Sequence, residues 1–307
     1  MTLSSDASAD VTRVDSLPII RQTAVDAHKG QLGRVLIVAG SQQMSGAARL
    51  AGCGALRGGA GLVFLVVPEG VASVVAAAEP SYQVIGVPQT DDGYLAPGAL
   101  DGVANLIRDC SAIAIGPGLG QAPTVGSVVV SLLQSASCPV VVDADALNVL
   151  ASTCQTEQQP LTDLMQASSA SRLLTPHPGE FSRLTGLTVE QIQAQRERLA
   201  VSFAREHRVT VLLKGHGTVV SDGTQLYVNS TGNPGMATGG SGDVLTGLLA
   251  AILAQGYSAF DAARLGAHLH GVAGDLAAQD LSQPGLIASD LPRYLGVAWK
   301  TLLNGDS

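Results

Sequence analysis

A glycine-rich turn followed by one acidic residue is the clearest chemical feature of the chain. The segment Asn233-Pro-Gly-Met-Ala-Thr-Gly-Gly-Ser-Gly-Asp243 leads into a long apolar run. Gly239, Gly240 and Gly242 can adopt backbone angles that a Cβ would forbid, so several amide N–H groups can converge at a helix start. The helix dipole adds positive potential there. The turn therefore predicts a phosphate site with Asp243 beside it as a general base; the alternative is that Asp243 only caps the helix.

Four other loops with glycine or polar residues each follow a predicted buried strand. They are Gly116-Pro-Gly-Leu-Gly120, Asp143-Ala-Asp145, Thr175-Pro-His-Pro-Gly-Glu180 and Lys214-Gly-His-Gly-Thr218. In the last of these, a lysine and flexible backbone amides could contact a nucleotide phosphate or ribose. The alternative is a surface lysine on a β-hairpin.

Two of these loops carry titratable groups whose roles stay open. Asp143 and Asp145 could hold a divalent metal through water, or Asp145 could cap the helix that follows. His177 lies between prolines that fix the backbone, and histidine titrates near neutrality, so it could contact a ligand. A lone histidine is nevertheless more often structural.

Two common nucleotide-binding motifs are missing from the sequence. The loop at residues 116–120 lacks the GxGxxG spacing of dinucleotide-binding folds, and no GxxxxGK[ST] segment occurs anywhere in the chain. The phosphate site is therefore expected at the glycine-rich turn before Asp243.

Strand and helix patterns alternate along the chain. Apolar β-branched runs at residues 33–40 and 111–115 predict strands buried on both faces, residues 97–109 predict a helix, and the last third reads as helical. This alternation predicts an α/β fold with a parallel sheet covered by helices on both sides and ligands at the carboxyl ends of the strands. We expect residues 1–15 to form a disordered tail and residues 16–307 to form one domain.

Composition narrows the classes of partner. The 307 residues carry a net charge of -8, which argues against nucleic acid or an anionic membrane as a partner. Charged residues make up 14% of the chain, below the roughly 25% of ordinary soluble proteins, so we expect a homo-oligomer, with a tetramer as the specific prediction. The four cysteines form no CxxC pair and no targeting segment is recognisable, which predicts a cytoplasmic protein.

Taken together in this order, the loops resemble a known family. The segments that carry the resemblance are His28-Lys-Gly-Gln-Leu-Gly-Arg34, Gly46-Ala-Ala48, Gly116 to Gly120, Asp143-Ala-Asp-Ala-Leu-Asn148, Leu174 to Phe181, Lys214 to Thr218 and Asn233 to Asp243. They resemble the ADP- or ATP-dependent NAD(P)H-hydrate dehydratases of the ribokinase-like superfamily, over roughly residues 16–303. The resemblance implies a three-layer α/β/α ribokinase-like fold with a central, mostly parallel sheet.

The resemblance also implies an activity and a set of site residues. Such enzymes return the S form of hydrated NADH or NADPH to NAD(P)H at the expense of ADP or ATP, with Mg²⁺. Asp243 would be the catalytic residue. The nucleotide would be bound by Lys214, Gly215, His216, Gly217, Thr218, Asn233, Gly239, Gly240, Ser241 and Gly242. The hydrated dinucleotide would contact Ala47, Gly118, Gly120, His177 and Asp243. The sequence does not identify protein ligands for the metal.

The nearest alternative is a small-molecule kinase of the same superfamily that acts on a vitamin precursor of the hydroxymethylpyrimidine or hydroxyethylthiazole type. It would share the Gly-Ser-Gly-Asp turn, but the loops at residues 175–181 and 214–218 resemble the dehydratase versions. Some relatives carry a fused epimerase domain of roughly 200 residues. We expect no epimerase activity in this chain, so that a separate NAD(P)H-hydrate epimerase would work alongside it.

Overall fold

The computed structural model describes residues 11–22, 24–156 and 158–305. Its strands are β1 Thr12–Arg13, β2 Arg34–Val38, β3 Leu62–Pro68, β4 Gln83–Val87, β5 Ala112–Ile115, β6 Val140–Val142, β7 Arg172–Leu174, β8 Thr210–Leu213, β9 Val219–Ser221 and β10 Gln225–Val228. Its helices are α1 Ser45–Arg57, α2 Glu69–Ala76, α3 Ala104–Asp109, α4 Pro123–Ser135, α5 Asp145–Thr156, α6 Leu161–Met165, α7 Pro178–Thr185, α8 Val189–Ala194, α9 Arg196–His207, α10 Ser241–Ala254, α11 Ala259–Leu281 and α12 Leu291–Asn304.

The ten strands form one sheet in the order β1-β10-β9-β8-β7-β6-β5-β2-β3-β4. Neighbouring strands are parallel except at β9, which is antiparallel to both β8 and β10. The predicted α/β fold with a mostly parallel sheet is confirmed. Because β2, β5, β6, β7 and β8 run in the same direction, the loops that follow them lie at one edge of the sheet.

Helices cover both faces of the sheet, and strand side chains alternate between two cores. In β2, Val35 and Ile37 pack into the core that includes α1, α10, α11 and α12. Leu36 and Val38 pack into the core on the opposite face. All four side chains are fully buried. This two-residue alternation explains why the strand is apolar throughout: each face of the pleat meets a helical layer.

Helix α10 lies inside the first of these cores and is held against α1 by glycines. A Cβ on Gly247 would come within 1.8 Å of the carbonyl oxygen of Ala51, and a Cβ on Gly54 within 2.2 Å of the carbonyl oxygen of Val244. Only glycine permits this approach of the two backbones. The apolar run after Asp243 is buried almost all round, which fixes the position of the helix and of its first turn.

Two local predictions from the sequence differ from the structure. Residues 1–10 of the predicted disordered tail lie outside the described residues, but Thr12 and Arg13 form β1, which pairs in parallel with β10. An edge strand offers unpaired backbone groups that a two-residue segment can satisfy. The predicted helix at residues 97–109 is also shorter: Gly98 has a φ of +72°, which interrupts helical geometry, and only α3 follows after a 3₁₀ turn at Asp101–Val103.

None of the helices in the described part of the chain is long and apolar enough to span a membrane.

Candidate functional site

The start of α10 carries the glycine-rich turn and the acid predicted from the sequence. Gly240 precedes the helix with a φ of +95°, a conformation that strains other residues. Within the described residues, no side chain caps this helix, and no acceptor takes the amide N–H of Gly239, Gly240 or Gly242. These free amides and the helix dipole form a site suited to an anion.

Asp243 lies in the first turn of α10 and is mostly buried. Burial is the main reason that the pKa of its carboxyl is raised to about 7, and the nearby charge of Asp143 adds to the effect. The ammonium of Lys214 opposes the shift but does not cancel it. A carboxylate with a pKa near neutrality can both accept and release a proton at physiological pH, as a general base must.

Lys214, which follows β8, is held between a carboxylate that follows β6 and one in the first turn of α7. Its Nζ lies 2.7 Å from Asp143 Oδ1 and 3.7 Å from Glu180 Oε2. Burial opposes the lysine charge, but Asp143 and Glu180 outweigh it, so the pKa of Lys214 is raised. A Cβ on Gly242 would lie 3.4 Å from Nζ, so the ammonium is adjacent to the first turn of α10.

His177 has a structural role at the start of α7. Its Nδ1 accepts hydrogen bonds from the amides of Gly179 and Glu180, and Glu180 Oε2 accepts from the His177 amide at 2.7 Å. This is a reciprocal capping box. Burial, with help from the Lys214 and Arg183 charges, lowers the pKa of His177. The other ring nitrogen lies 3.3 Å from Glu180 Oε1.

The loop at residues 214–218 is shaped by an arginine that sequence reasoning missed. The guanidinium of Arg196, at the start of α9, donates to the carbonyl oxygens of Leu213, Lys214 and Gly217. Thr218 Oγ1 closes the loop by donating to the carbonyl of Gly215 at 2.9 Å. Gly215 and His216 are exposed at the tip.

The loop that begins at Asn233 is held by α11. Asp275 accepts hydrogen bonds from the Gly232 amide at 2.8 Å and from Asn233 Nδ2 at 2.9 Å. Asn233 Oδ1 in turn accepts from the Gly235 amide. The side chain of Asn233 therefore shapes the loop, and both of its polar atoms are already occupied.

Three of the residues predicted for the hydrated dinucleotide, Ala47, Gly118 and Gly120, lie on the β2 and β5 side of the same edge. A Cβ on Gly118 would lie 2.7 Å from the Cβ of Ala47, so the first turn of α1 and the β5 loop are in contact. Asp145 Oδ2 accepts from the Gly120 amide at 2.8 Å. Asp145 therefore anchors the glycine loop. Because α5 begins at Asp145 itself, this residue lies inside the first turn and does not precede the helix as an N-cap; its role at a metal stays a prediction.

A metal held mainly by protein side chains does not fit the residues present. Across residues 11–22, 24–156 and 158–305, no group of three or more His, Cys, Asp or Glu side chains is arranged to hold a metal ion. The buried carboxylate of Asp143 already accepts from Lys214 Nζ and Thr246 Oγ1. A divalent cation at this site would therefore depend on phosphate and water for most of its ligands.

Four residues that sequence reasoning missed support this edge of the sheet: Arg196, Thr246, His270 and Asp275. His270, on α11, lies 3.0 Å through its Nε2 from the carbonyl oxygen of Ser241. Burial lowers the pKa of His270 to about 4, so the ring is neutral and donates to this carbonyl from behind the first turn of α10. None of the four lies in a glycine-rich or strand-end motif, so no sequence signal marked them.

Several named relatives match most of this chain. A sequence profile described as NAD(P)H-hydrate dehydratase matches residues 35–295. The bifunctional NAD(P)H-hydrate repair enzyme Nnr of Moorella thermoacetica is 44% identical over 277 residues, which are 90% of this chain and 51% of that protein. The chain thus spans about half the length of this relative. The ADP-dependent (S)-NAD(P)H-hydrate dehydratase of Neisseria meningitidis serogroup B is 37% identical over 89% of this chain and 87% of that protein.

Solved structures share the fold. The ADP/ATP-dependent NAD(P)H-hydrate dehydratase of Bacillus subtilis, co-crystallised with ATP/Mg²⁺, matches with a TM-score of 0.78 and 33% identity over 92% of this chain and 94% of that one. A ribokinase-like superfamily protein of Enterococcus faecalis has a TM-score of 0.77 over 98% of both chains; its 24% identity supports the fold alone. The predicted three-layer ribokinase-like fold is confirmed.

Proposed function

Because this chain belongs to the NAD(P)H-hydrate dehydratase family, we propose that it returns the S form of hydrated NADH or NADPH to NAD(P)H, using ADP as co-substrate. ATP is the alternative co-substrate. The products are the restored dinucleotide, AMP and phosphate. The observation that carries the proposal is the uncapped start of α10, where free glycine amides adjoin a carboxyl with a pKa of about 7.

The chemistry follows from the poor leaving ability of hydroxide. Transfer of the terminal phosphoryl group from ADP to the hydroxyl of the hydrated ring turns that oxygen into part of a phosphate, which leaves readily. Electron push from the ring nitrogen then expels phosphate and leaves an iminium ion, which loses a proton from the neighbouring ring carbon to give the dihydronicotinamide. Asp243 accepts the hydroxyl proton during the transfer, and its raised pKa suits a base that works near neutral pH.

Two groups of this chain would stabilise the charge on the transferred phosphoryl. The amides of Gly240 and Gly242 have no acceptor among the described residues, and the Ser241 amide between them makes only a long contact, 3.4 Å, with the carbonyl oxygen of Thr238. The Lys214 ammonium is adjacent to Gly242. Preorganised donors of this kind stabilise developing charge because they need no reorganisation during the reaction. Mg²⁺ would come with the nucleotide and neutralise phosphate charge, in line with the absence of a three-ligand cluster among the described residues.

The remaining nucleotide and substrate contacts are proposed on the same basis. The loop at residues 214–218, with Lys214, Gly215, His216, Gly217 and Thr218, would bind the nucleotide together with the loop from Asn233 through Gly239 to Gly242. The hydrated dinucleotide would lie against Ala47, Gly118, Gly120 and His177. It would thus extend along the sheet edge from the β2 and β5 side to the start of α7.

The test is to mix the protein with hydrated NADH, magnesium chloride and either ADP or ATP. We expect the absorbance of the dihydronicotinamide to return, with one AMP and one phosphate released per ADP consumed. Absence of this signal with both nucleotides contradicts the proposal. A phosphorylated vitamin precursor, formed from hydroxymethylpyrimidine or hydroxyethylthiazole and ATP without recovery of absorbance, would instead support the kinase alternative.

We also propose a cytoplasmic homotetramer that works alongside a separate NAD(P)H-hydrate epimerase. The low share of charged residues, 14% of the chain, supports an oligomer because less of the surface is charged than in ordinary soluble proteins. Light scattering on the purified protein tests the tetramer, and the mass of a monomer would contradict it.

A further inference from the structure

Asp143 is a buried carboxylate at the centre of the sheet edge. It follows β6 and is only 1% exposed. Its Oδ1 accepts from Lys214 Nζ at 2.7 Å, and its Oδ2 accepts from Thr246 Oγ1 at 2.6 Å. A buried charge is tolerated only when it is paired and hydrogen-bonded, and here each oxygen has one strong donor.

Thr246 is the fully buried donor of this arrangement. It lies one turn beyond Gly242 in α10 and has no exposed surface. Its hydroxyl is also 3.1 Å from the carbonyl oxygen of Gly242. Because the hydroxyl has one proton and the carboxylate is the closer, charged acceptor, the donated bond goes to Asp143. Thr246 therefore ties Asp143 to the same helix that carries the glycine amides.

Three carboxylates interact with the Lys214 ammonium. Besides Asp143, its ammonium lies 3.7 Å from Glu180 Oε2, and its charge acts on Asp243. A lysine side chain is long and flexible, and many orientations would pair it with one of these acids. The short contact with Asp143 keeps the ammonium at the first turn of α10 and away from a direct pair with Asp243.

We propose that Asp143 and Thr246 are positioning residues for the phosphoryl transfer. Thr246 fixes the carboxylate of Asp143, and Asp143 holds the Lys214 ammonium beside the glycine amides of α10, where a transferred phosphoryl group would meet it. The inference rests on the proposed function and adds two residues to it, neither of which need touch a substrate.

A positioning role makes a prediction about pH that a purely structural role does not. The charged groups that act on Asp243 are Asp143, Asp145 and Glu180, which raise its pKa, and Lys214, which lowers it. Replacing Asp143 by asparagine removes one like charge and frees Lys214 to pair with Asp243. Both changes lower the pKa of Asp243, so the acid limb of the pH–rate profile should move to lower pH.

The experiment compares Thr246→Val, Thr246→Ser and Asp143→Asn with wild type in the hydrated NADH assay with ADP and magnesium chloride. In Thr246→Val, valine keeps the shape of the side chain and all charges but removes the hydroxyl donor. We therefore expect kcat to fall roughly tenfold with little change in KM for ADP. In Thr246→Ser, the hydroxyl is kept, so most of the wild-type kcat should remain. Asp143→Asn should lower kcat further, on the order of a hundredfold, and move the acid limb to lower pH.

Stability is controlled with Thr210→Val, a buried threonine at the start of β8 on the opposite edge of the sheet. Its kcat should match wild type. Thr246→Val leaves one oxygen of the buried Asp143 carboxylate without its donor, so it should unfold at a somewhat lower temperature but stay folded at the assay temperature, as circular dichroism can check. The inference is overturned if Thr246→Val and Thr246→Ser have equal rates and the acid limb of Asp143→Asn is unmoved. It is also overturned if added magnesium restores Asp143→Asn to the wild-type rate, because Asp143 would then be a metal ligand. A wild-type protein without activity would contradict the proposed function itself.

Discussion

Helices α7 and α10 both start at the carboxyl edge of the sheet, yet their first turns are filled in different ways. At α7, the His177 ring accepts from two amides and Glu180 accepts from the His177 amide, so the helix satisfies its own donors. At α10, within the described chain, the glycine amides have no protein acceptor and no side chain caps the helix. An open helix start next to a closed one indicates where an anion belongs.

The two helix starts also differ in what a histidine does for them. His177 lies in front of α7 and occupies its amides, whereas His270 lies behind the first turn of α10 and donates to the Ser241 carbonyl. The contact with His270 therefore fixes the first turn of α10 without occupying its amides. Thr246 and Asp143 act in the same way, because they hold Lys214 beside the amides and leave the amides themselves free.

The largest expected effect comes from the acid at the open start. Asp243→Asn removes the proposed base, and loss of a general base typically costs 10²- to 10⁴-fold in rate. We expect kcat to fall by at least roughly a hundredfold in the hydrated NADH assay, while calorimetry shows ADP still bound. Wild-type turnover in this variant would mean that another group accepts the proton.

Protonation of His270 should lower the free energy of unfolding, because this ring supports the first turn of α10. The folded pKa of about 4 lies below the unfolded value of 6.5, so the unfolded chain takes up a proton first as the pH falls. The free energy of unfolding should drop by roughly 1.4 kcal/mol per pH unit between 6.5 and 4 because of this residue, and not above 6.5. Urea unfolding at several pH values measures this slope, and His270→Gln should flatten it; an unchanged slope in the variant would exclude His270 as its source.

Closing the open start with a side chain should weaken nucleotide binding. An alanine at Gly240 must adopt a left-handed conformation, and its Cβ would come within 2.5 Å of Leu50 Cδ1. This strain, roughly 1–2 kcal/mol from the backbone alone, should shift the amides and lower ADP affinity about tenfold. Gly186→Ala is a matched control, because Gly186 also has a positive φ but ends α7 with open space around it. Equal ADP affinity in both variants would refute an anion site at α10.

The smallest effect is expected at the closed start. His177→Ala removes the cap of α7 and should cost about 1 kcal/mol of stability in thermal unfolding, whereas His177→Asn should restore most of it, because asparagine is a good N-cap. ADP affinity should change little in either variant. A loss of ADP affinity as large as that of Gly240→Ala would show that α7 also contributes to the nucleotide site.

The sequence was sufficient to predict the class of fold and the set of loops at the edge, because both depend on local patterns. Alternating strands and helices require parallel strands, and parallel strands bring residues 116–120, 143–145, 175–180 and 214–218 together. The glycine-rich turn before Asp243 was visible for the same reason. Backbone freedom and a helix start are encoded within a few residues.

The contacts that adjust the site were not predictable, because they join distant residues of ordinary type. Thr246 is 103 residues from Asp143, and Lys214 is 71 residues from it. A threonine within an apolar helix gives no sign that its hydroxyl faces a buried carboxylate. The two-residue strand β1 is too short to show any periodicity. The helix predicted at residues 97–109 is too long because Gly98 adopts a positive φ, which the sequence pattern does not reveal.

Asp243, at the open start of α10, should be a proton acceptor near neutral pH. This role is tested most directly by NMR titration of carboxyl-labelled aspartate in the nucleotide-free protein, with Asp243→Asn to assign the resonance. We expect Asp243 to titrate with a pKa of about 7, well above that of ordinary aspartate, because of burial and the charge of Asp143. A titration below pH 5 would contradict this expectation, because such a carboxyl would be too weak a base for the role.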